Sequence, residues 1–471
     1  MGFLITILAV VVVVHYYLWR RLVRPTTRPG SVPRRVLTWG LVLLVFLLPL
    51  RTIGGQVFGM SFERVIAWPG YMWLAIMFYL VVFTVALEIP RAIALLMARR
   101  PENSPGPVES REPVDSGRPV DSAGFAGPAG SPGSVDSGDP VLGSPFAPGP
   151  STGSGTSRAS AISTDPVAVA GSAESADLVA STAPAISAGP GTSQVDRRVF
   201  IARTAATVAG VGALATVGYG MRTAMGDPVI ERIPVRLPRL DPRMSGLRFA
   251  VVSDIHIGPL TGKGHTERIV RMINSLQADV VTIVGDLVDG SVAELGPLAA
   301  PLRNLESRYG AYFVTGNHEY YTSNGPQEWI EELNSLGVRS LRNERVEIAH
   351  AGAVLDLAGI NDLYGTPIGD GPDLEKALGG RDAARPVVLL AHQPVQVRQA
   401  AGYGVDLQLS GHTHGGQMAP FNLAVPLQQP VVAGLDKVDG TQIYVTRGAG
   451  YWGPPVRVGA PPEITLIELR S

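Results

Sequence analysis

Cysteine is missing from all 471 residues. That excludes disulfides, thiolate metal sites and cysteine nucleophiles together, and it leaves the redox compartment undetermined. Strong charge of one sign is missing too: 39 basic residues against 40 acidic ones give a formal net charge of −1. No global attraction to nucleic acid follows from that balance, and no nucleic acid partner is expected. Aromatic residues and hydrophobic periodicity are scarce between residues 101 and 196, where Pro, Gly, Ser and Ala dominate with scattered Asp. Such a stretch cannot bury enough apolar surface to fold, so it reads as a disordered linker.

Long apolar runs flank that linker. Residues 1–100 contain three, at about 3–19, 36–50 and 65–87, and a Gly/Ala-rich fourth lies in 197–222. The first is long enough at helical rise to cross a bilayer. A cleaved signal peptide is its rival, but the run has no basic n-region and no small-x-small cleavage site. The third carries Trp68, Tyr71 and Trp73 where interfacial aromatics would sit. The fourth is preceded by Asp196-Arg197-Arg198-Val199-Phe200-Ile201, which resembles a twin-arginine export signal; two positive-inside arginines beside an ordinary helix would read the same way. Arg20, Arg21, Arg24, Arg28, Arg34 and Arg35 crowd between the first two runs and are expected on the cytoplasmic side. Counting crossings from there gives a multi-pass protein of the cell membrane with everything after about residue 222 extracytoplasmic. Arg222, Arg232, Arg236, Arg239 and Arg243 weigh against that orientation. Inside the runs ionisable residues are almost absent apart from His15, which argues against a transport path or receptor role.

From about residue 245 to 471 the pattern changes. Short β-rich runs at 248–253, 280–284, 311–315, 354–360, 387–390, 407–409, 442–446 and 464–469 alternate with helical periodicity at 266–276 and 326–336. In the second helix Pro326 suits the first turn and Gly337 the stop. Alternating strands and helices imply an α/β domain with parallel or mixed sheets.

Five polar clusters each follow one of the β-rich runs: Asp254-Ile-His256, Gly285-Asp286-Leu-Val-Asp289, Gly316-Asn317-His318-Glu319, His392, and Gly411-His412-Thr-His414. Five of the eight histidines fall inside them, which scattered surface histidines would not do. Residues two apart on an extended segment point to one side, so Asp254 and His256 could bind one cation together, as could His412 and His414. A carboxylate such as Asp286 can bridge two cations, and Asn317 offers a neutral carbonyl oxygen. Oxygen and nitrogen ligands delivered from several strand ends suit a two-metal hydrolytic centre. Each cluster alone also has a structural reading: a strand-end accident, a helix cap, an αL turn at Asn317, an exposed loop. All five together, in one domain-sized segment, are harder to explain that way.

In that order the clusters resemble the signature of the calcineurin-like metallophosphoesterases, over roughly Leu247 to Leu469. The Thr446-Arg447-Gly448 and Pro461-Pro462-Glu463-Ile464 segments are similar to the ending of the family's membrane-associated bacterial branch. The resemblance implies a fold of two mixed β-sheets sandwiched between helices. It also implies that Asp254, His256, Asp286 and His414 hold one divalent metal, while Asp286, Asn317, His392 and His412 hold a second. His318 would contact the phosphoryl group as proton donor or charge stabiliser. Two dications about 3.5–4 Å apart would lower the pKa of a bridging water, and the resulting hydroxide would attack phosphorus. Mixed carboxylate, amide and imidazole ligands suit Mn, Fe, Zn or Co without choosing among them.

The expected function is therefore a membrane-anchored, dinuclear-metal phosphoesterase, with a lipid-linked or cell-envelope phosphoester as the candidate substrate. A UDP-sugar lipid pyrophosphatase-type hydrolase and a non-catalytic interaction module on the same fold are the alternatives. Asp289 and Glu319 are expected to orient ligands or stabilise turns. His265 is expected at the surface, and Arg447 either faces a phosphate or forms a structural ion pair.

Overall fold

The apolar runs are helical in the computed structural model, which describes residues 2–97, 192–322 and 324–471. The linker expected over 101–196 lies outside the described residues, except that a helix has already begun at Thr192. The helices are α1 (Gly2–Leu18), α2 (Val32–Phe58), α3 (Met60–Ala86), α4 (Glu88–Met97) and α5 (Thr192–Met225). Among the described residues, Ser61–Ala86 and Arg197–Met225 are long and apolar enough to cross a membrane. Helix α3 packs against both α2 and α5. Ala75 and Tyr79 of α3 are buried against Ala213 and Val217 of α5.

After α5 the chain builds two six-stranded sheets. In spatial order the first holds β1 (Val229–Arg236), β12 (Glu463–Arg470), β2 (Arg248–Val252), β3 (Val280–Val284), β4 (Ala311–Val314) and β5 (Val338–Ser340). Strands β2 to β5 run parallel, and β12 is antiparallel to β2. The second holds β10 (Gly434–Val438), β11 (Thr441–Val445), β9 (Leu407–Ser410), β8 (Val387–Leu390), β7 (Ala353–Gly359) and β6 (Glu344–His350), with antiparallel edges around a parallel centre.

Most of the central strands are apolar on both faces because both faces are covered. In β2, Phe249 and Val251 join a core between the sheets, with Leu357, Val388, Leu390 and Leu409 of the opposing sheet. Ala250 and Val252 turn the other way, onto α6 (Lys263–Ser275), α7 (Val292–Ala299) and α8 (Gln327–Ser335) through Ile269, Leu295 and Trp329. In β8 the same alternation sends Val387 and Leu389 onto α9 (Leu374–Leu378) and α10 (Val397–Gly402). Burying each such side chain contributes roughly 1.5–3 kcal/mol, which holds the layers in register. Two mixed sheets thus lie face to face between helices, as the resemblance implied. Helix α8 starts directly after Pro326, and Gly337 follows its end with a φ of +85°.

Candidate metal centre

Strands β2, β3 and β4 are parallel neighbours, so their C-terminal ends line up at one edge of the first sheet. Strands β8 and β9 do the same in the second. Binding sites in open α/β sheets form outside such strand ends. Asp254 and His256 follow β2, Asp286 follows β3, Asn317 and His318 follow β4, His392 follows β8, and His412 and His414 follow β9. The structure brings all eight together.

One expectation needs correcting. Asp254 and His256 do share a site, but not because the chain is extended there: β2 stops at Val252, and their φ values are +52° and +49°. His412 and His414 are likewise left-handed, at +70° and +50°, as is Asp286 at +51°. Asn317, offered as an αL candidate, is instead right-handed with φ −71°.

Three groups of potential ligand atoms lie within 4.8 Å of one another: Asp254, His256 and His414; Asp286, His392 and His412; and His256, Asp286 and His318. The first two each contain three residues of one implied ligand set, without Asp286 in the first or Asn317 in the second, and both draw ligands from each sheet. In the third, His318 Nε2 stands 3.9 Å from Asp286 Oδ2 while its Nδ1 donates to Asp289 Oδ1 at 2.7 Å. The same Asp289 oxygen accepts from His256 Nδ1 at 2.8 Å. That contact fixes the His256 tautomer and leaves its Nε2 lone pair facing His414 Nε2 at 3.0 Å.

Backbone groups hold the carboxylates. Asp254 accepts from the His412 N–H, and Asp286 Oδ1 accepts from the His318 N–H at 2.9 Å. The Glu319 carboxylate accepts the amides of Asp286, Leu287 and Gly316, so it ties the β3 and β4 turns together. Gly316 admits no side chain, because a Cβ there would lie 2.2 Å from Asp286 Oδ1.

Electrostatics divide the imidazoles. Burial disfavours charge on His318, but Asp286 and Asp289 outweigh it and hold its pKa up to about 9. Burial likewise opposes charge on His392, yet the Asp286 carboxylate keeps it well above its ordinary value. Burial and the charge of His392 depress His412 to about 3. Burial and His256 hold His414 well below the usual histidine range. Asp254 is raised by burial.

The donor set fits divalent metal. Asn317 Oδ1 and His392 Nε2 are buried without a hydrogen-bond partner, a state native proteins rarely leave unexplained. His392 is in the second group, and the resemblance assigns Asn317 to the same ion: Asn317 Nδ2 donates to Tyr321 Oη, and His392 Nδ1 donates to the Val284 carbonyl. What remains without a hydrogen bond is the amide oxygen and His392 Nε2, which stands 3.3 Å from Asp286 Oδ1; each could ligate a divalent ion, His392 after giving up its Nε2 proton.

Sequence reasoning missed Arg457. It is fully buried, donates to the carbonyls of Gly450, Ala460 and Arg447, and places a guanidinium nitrogen 3.0 Å from His414 Nδ1. It sits in a loop with no motif around it, so no spacing could have flagged it. Arg447 is paired with Glu231 and Glu463, the structural alternative. His265 is half-buried against Arg268, not at the surface.

The sequence model of the family described as Calcineurin-like phosphoesterase matches residues 247–416. A "Transmembrane protein with metallophosphoesterase domain" of Bos taurus is 43% identical over 264 residues, 54% of this chain and 59% of that protein. The chain thus spans about three fifths of that relative's length. An uncharacterized metallophosphoesterase of Helicobacter pylori (strain J99) is 42% identical over 262 residues, 54% of this chain and 68% of its own. Among solved structures, a dimetal phosphatase from Danio rerio is 12% identical with a TM-score of 0.31, covering 48% of this chain and 94% of that one.

Proposed function

The chain belongs to the calcineurin-like phosphoesterases, and from that premise we propose that it hydrolyses a phosphoester at a two-metal centre facing a membrane. The observation that carries the reading is Asp286, whose carboxylate belongs both to the group with His392 and His412 and to the group with His256 and His318. Asp254, His256, Asp286 and His414 would hold one ion, and Asp286, Asn317, His392 and His412 the other. When bound, such a pair supplies Lewis acidity and water made acidic enough to attack near neutral pH.

The chain's own residues do the rest. Asp289 holds His256 and His318 at once, so one carboxylate positions a metal ligand and the phosphoryl-facing ring. In the metal-free centre Asp286 and Asp289 raise His318 to about 9, which favours its imidazolium. Its Nδ1–H is spent on Asp289, and its Nε2–H is left to neutralise a phosphoryl oxygen or protonate the leaving oxygen as the ester P–O bond breaks and the P–O bond to water forms. Preorganised charge of this kind is usually the largest catalytic term.

The test is elemental analysis of the purified full chain with an activity screen against a phosphoester panel in added Mn²⁺. His318→Ala keeps its metal and loses about 10²–10³ in turnover, the range for removing one such stabiliser. Asp286→Asn loses metal as well. A full metal complement in Asp286→Asn overturns the shared carboxylate. Helices α3 and α5 are long and apolar enough to cross a membrane, and the arginines between the first two apolar runs are the ground for placing the phosphoesterase domain on the extracytoplasmic side of a multi-pass protein. A lipid-linked or envelope phosphoester is the substrate class that placement favours.

A further inference from the structure

The loop that carries His412 and His414 runs directly into a segment without charge: no Asp, Glu, Lys or Arg occurs from Met418 to Leu435. It folds as two short helical turns, Phe421–Leu423 and Val425–Leu427. Their large apolar side chains point to solvent: Phe421 is 54% exposed, Leu423 75% and Leu427 86%. Trp452, at 59%, joins them through Gln417, whose amide donates to the Trp452 carbonyl and accepts its N–H. Exposed leucines scattered singly need no explanation, but a contiguous uncharged patch marks an interaction surface.

What covers the patch follows from its neighbours. On one side it rests on the metal loop, for Asn422 packs so closely on Gly416 that a Cβ there would lie 2.3 Å from the Asn422 Cα. On the other it continues into the helices: Met418, Val456 and Val458 pack with Ala75 and Tyr79 of α3 and with Ala213 and Val217 of α5. The contact is not at the helix ends. Gly220, which faces Val456 and Val458, precedes the last residue of α5 by five positions, roughly 7–8 Å of helix. Tyr71, which faces Gly453, lies ten positions inside the apolar stretch Ser61–Ala86, roughly 15 Å along α3. The domain therefore overlaps the apolar stretches where Tyr71 of α3 meets Gly453, the residue after Trp452. Aromatic rings mark the membrane–water interface, and apolar surface seated there sinks about 5–10 Å below the headgroups.

We infer that Phe421, Leu423, Leu427 and Trp452 form a lip of the metal centre seated in the bilayer surface, and that the substrate is a phosphoester whose apolar remainder stays in that bilayer. The inference rests on α3 and α5 crossing the membrane and on phosphoester hydrolysis at the centre above. The lip brings the headgroup plane to the mouth of the site, so a lipid phosphate reaches His318 without leaving its leaflet.

The absence of cysteine makes a direct test available. Nitroxide labels are placed singly at Leu423→Cys, Leu427→Cys, Val211→Cys on the exposed face of α5 and Asp436→Cys on β10, in the full chain reconstituted into phosphatidylethanolamine–phosphatidylglycerol vesicles. Collisions with O₂ and with a water-soluble nickel chelate report depth. The lip labels are expected to behave like Val211→Cys and unlike Asp436→Cys. Lip labels as aqueous as Asp436→Cys, with Val211→Cys in lipid, overturn the lip and leave the membrane reading standing; an aqueous Val211→Cys overturns both. In the same vesicles, Leu423→Asp with Leu427→Asp lowers turnover of a vesicle-borne phospholipid phosphoester by about tenfold or more, since two buried leucines are lost. Turnover of soluble p-nitrophenyl phosphate stays unchanged. Equal losses on both substrates, or a wild-type chain active only on the soluble one, overturn the bilayer substrate.

Discussion

Five of the seven ligand residues carry a backbone that L-amino acids avoid. Asp254, His256, Asp286, His412 and His414 all have φ between +49° and +70°, at roughly 1–2 kcal/mol each. Each lies two or four residues past its strand, where the left-handed bend turns the side chain inward from the strand end. Glycine at Gly316 serves the same end by subtraction. A Gly316→Ala methyl would overlap Asp286 Oδ1, and overpacking of this kind costs about 1–3 kcal/mol. The variant should lose metal and melt lower, whereas Gly262→Ala, with open space around it, should match the parent in metal content and melting temperature. Protonation gives a second residue-scale prediction. In the metal-free centre Asp286 keeps His392 protonated well above its ordinary value despite burial. A raised histidine stabilises the metal-free fold at low pH, and that stabilisation fades as pH rises through the folded-state value. Metal must displace the Nε2 proton, so affinity should weaken as pH falls and strengthen as it rises. Calorimetric titrations in buffers of differing ionisation enthalpy, at about pH 6 and about pH 8, should show more proton release at the lower pH. Equal release at both would remove His392 as the competing acid. The ligand residues were legible in sequence because their types and order are chemical. Their left-handed backbone was not, since Asp and His carry no sign of φ.

At the scale of elements, legibility followed burial. Strands β2, β3, β4 and β8 are covered on both faces and read as largely apolar runs, while β1, β6 and β10 lie at sheet edges with several exposed residues and gave no such signal. The packing of α5 on the catalytic domain was equally hidden, because it depends on a single glycine. The Gly220 carbonyl accepts from the Arg457 N–H at 2.9 Å, and a Cβ at Gly220 would lie 2.5 Å from Val456 Cγ1 and 2.9 Å from Val458 Cγ2. Both are β-branched and stiff, so the loop must move instead. Arg457 lies between them and reaches His414, one side chain from the metal. Gly220→Val should therefore weaken metal binding about 10–100-fold, the usual cost of disturbing a ligand's support, with helix content unchanged. Arg457→Ala should do the same without touching α5. Unaltered metal affinity in Gly220→Val would separate helix docking from the centre.

For the whole molecule, the arrangement of charge bears on which side of a membrane the centre faces. Arg203 of α5 donates to the Thr26 carbonyl at 3.2 Å, and Arg21 pairs with Glu88 at 2.9 Å. The arginines that follow α1 and those that begin α5 therefore share one end of the helices. The docking of Gly220 on Val456 and Val458 puts the catalytic domain at the other end. If those basic clusters stay cytoplasmic, the catalytic domain would face the opposite side; of the arginines after residue 222, Arg239 and Arg243 are engaged with Asp406 and Asp241 in the folded domain, and domain charges weigh little in orientation. Because the chain has no cysteine, Arg28→Cys and Asp436→Cys are each the sole thiol of their variant. A membrane-impermeant maleimide added to intact cells should label Asp436→Cys at once and Arg28→Cys only after permeabilisation. The opposite pattern would place the centre in the cytoplasm, and its substrate would then have to come from the inner leaflet.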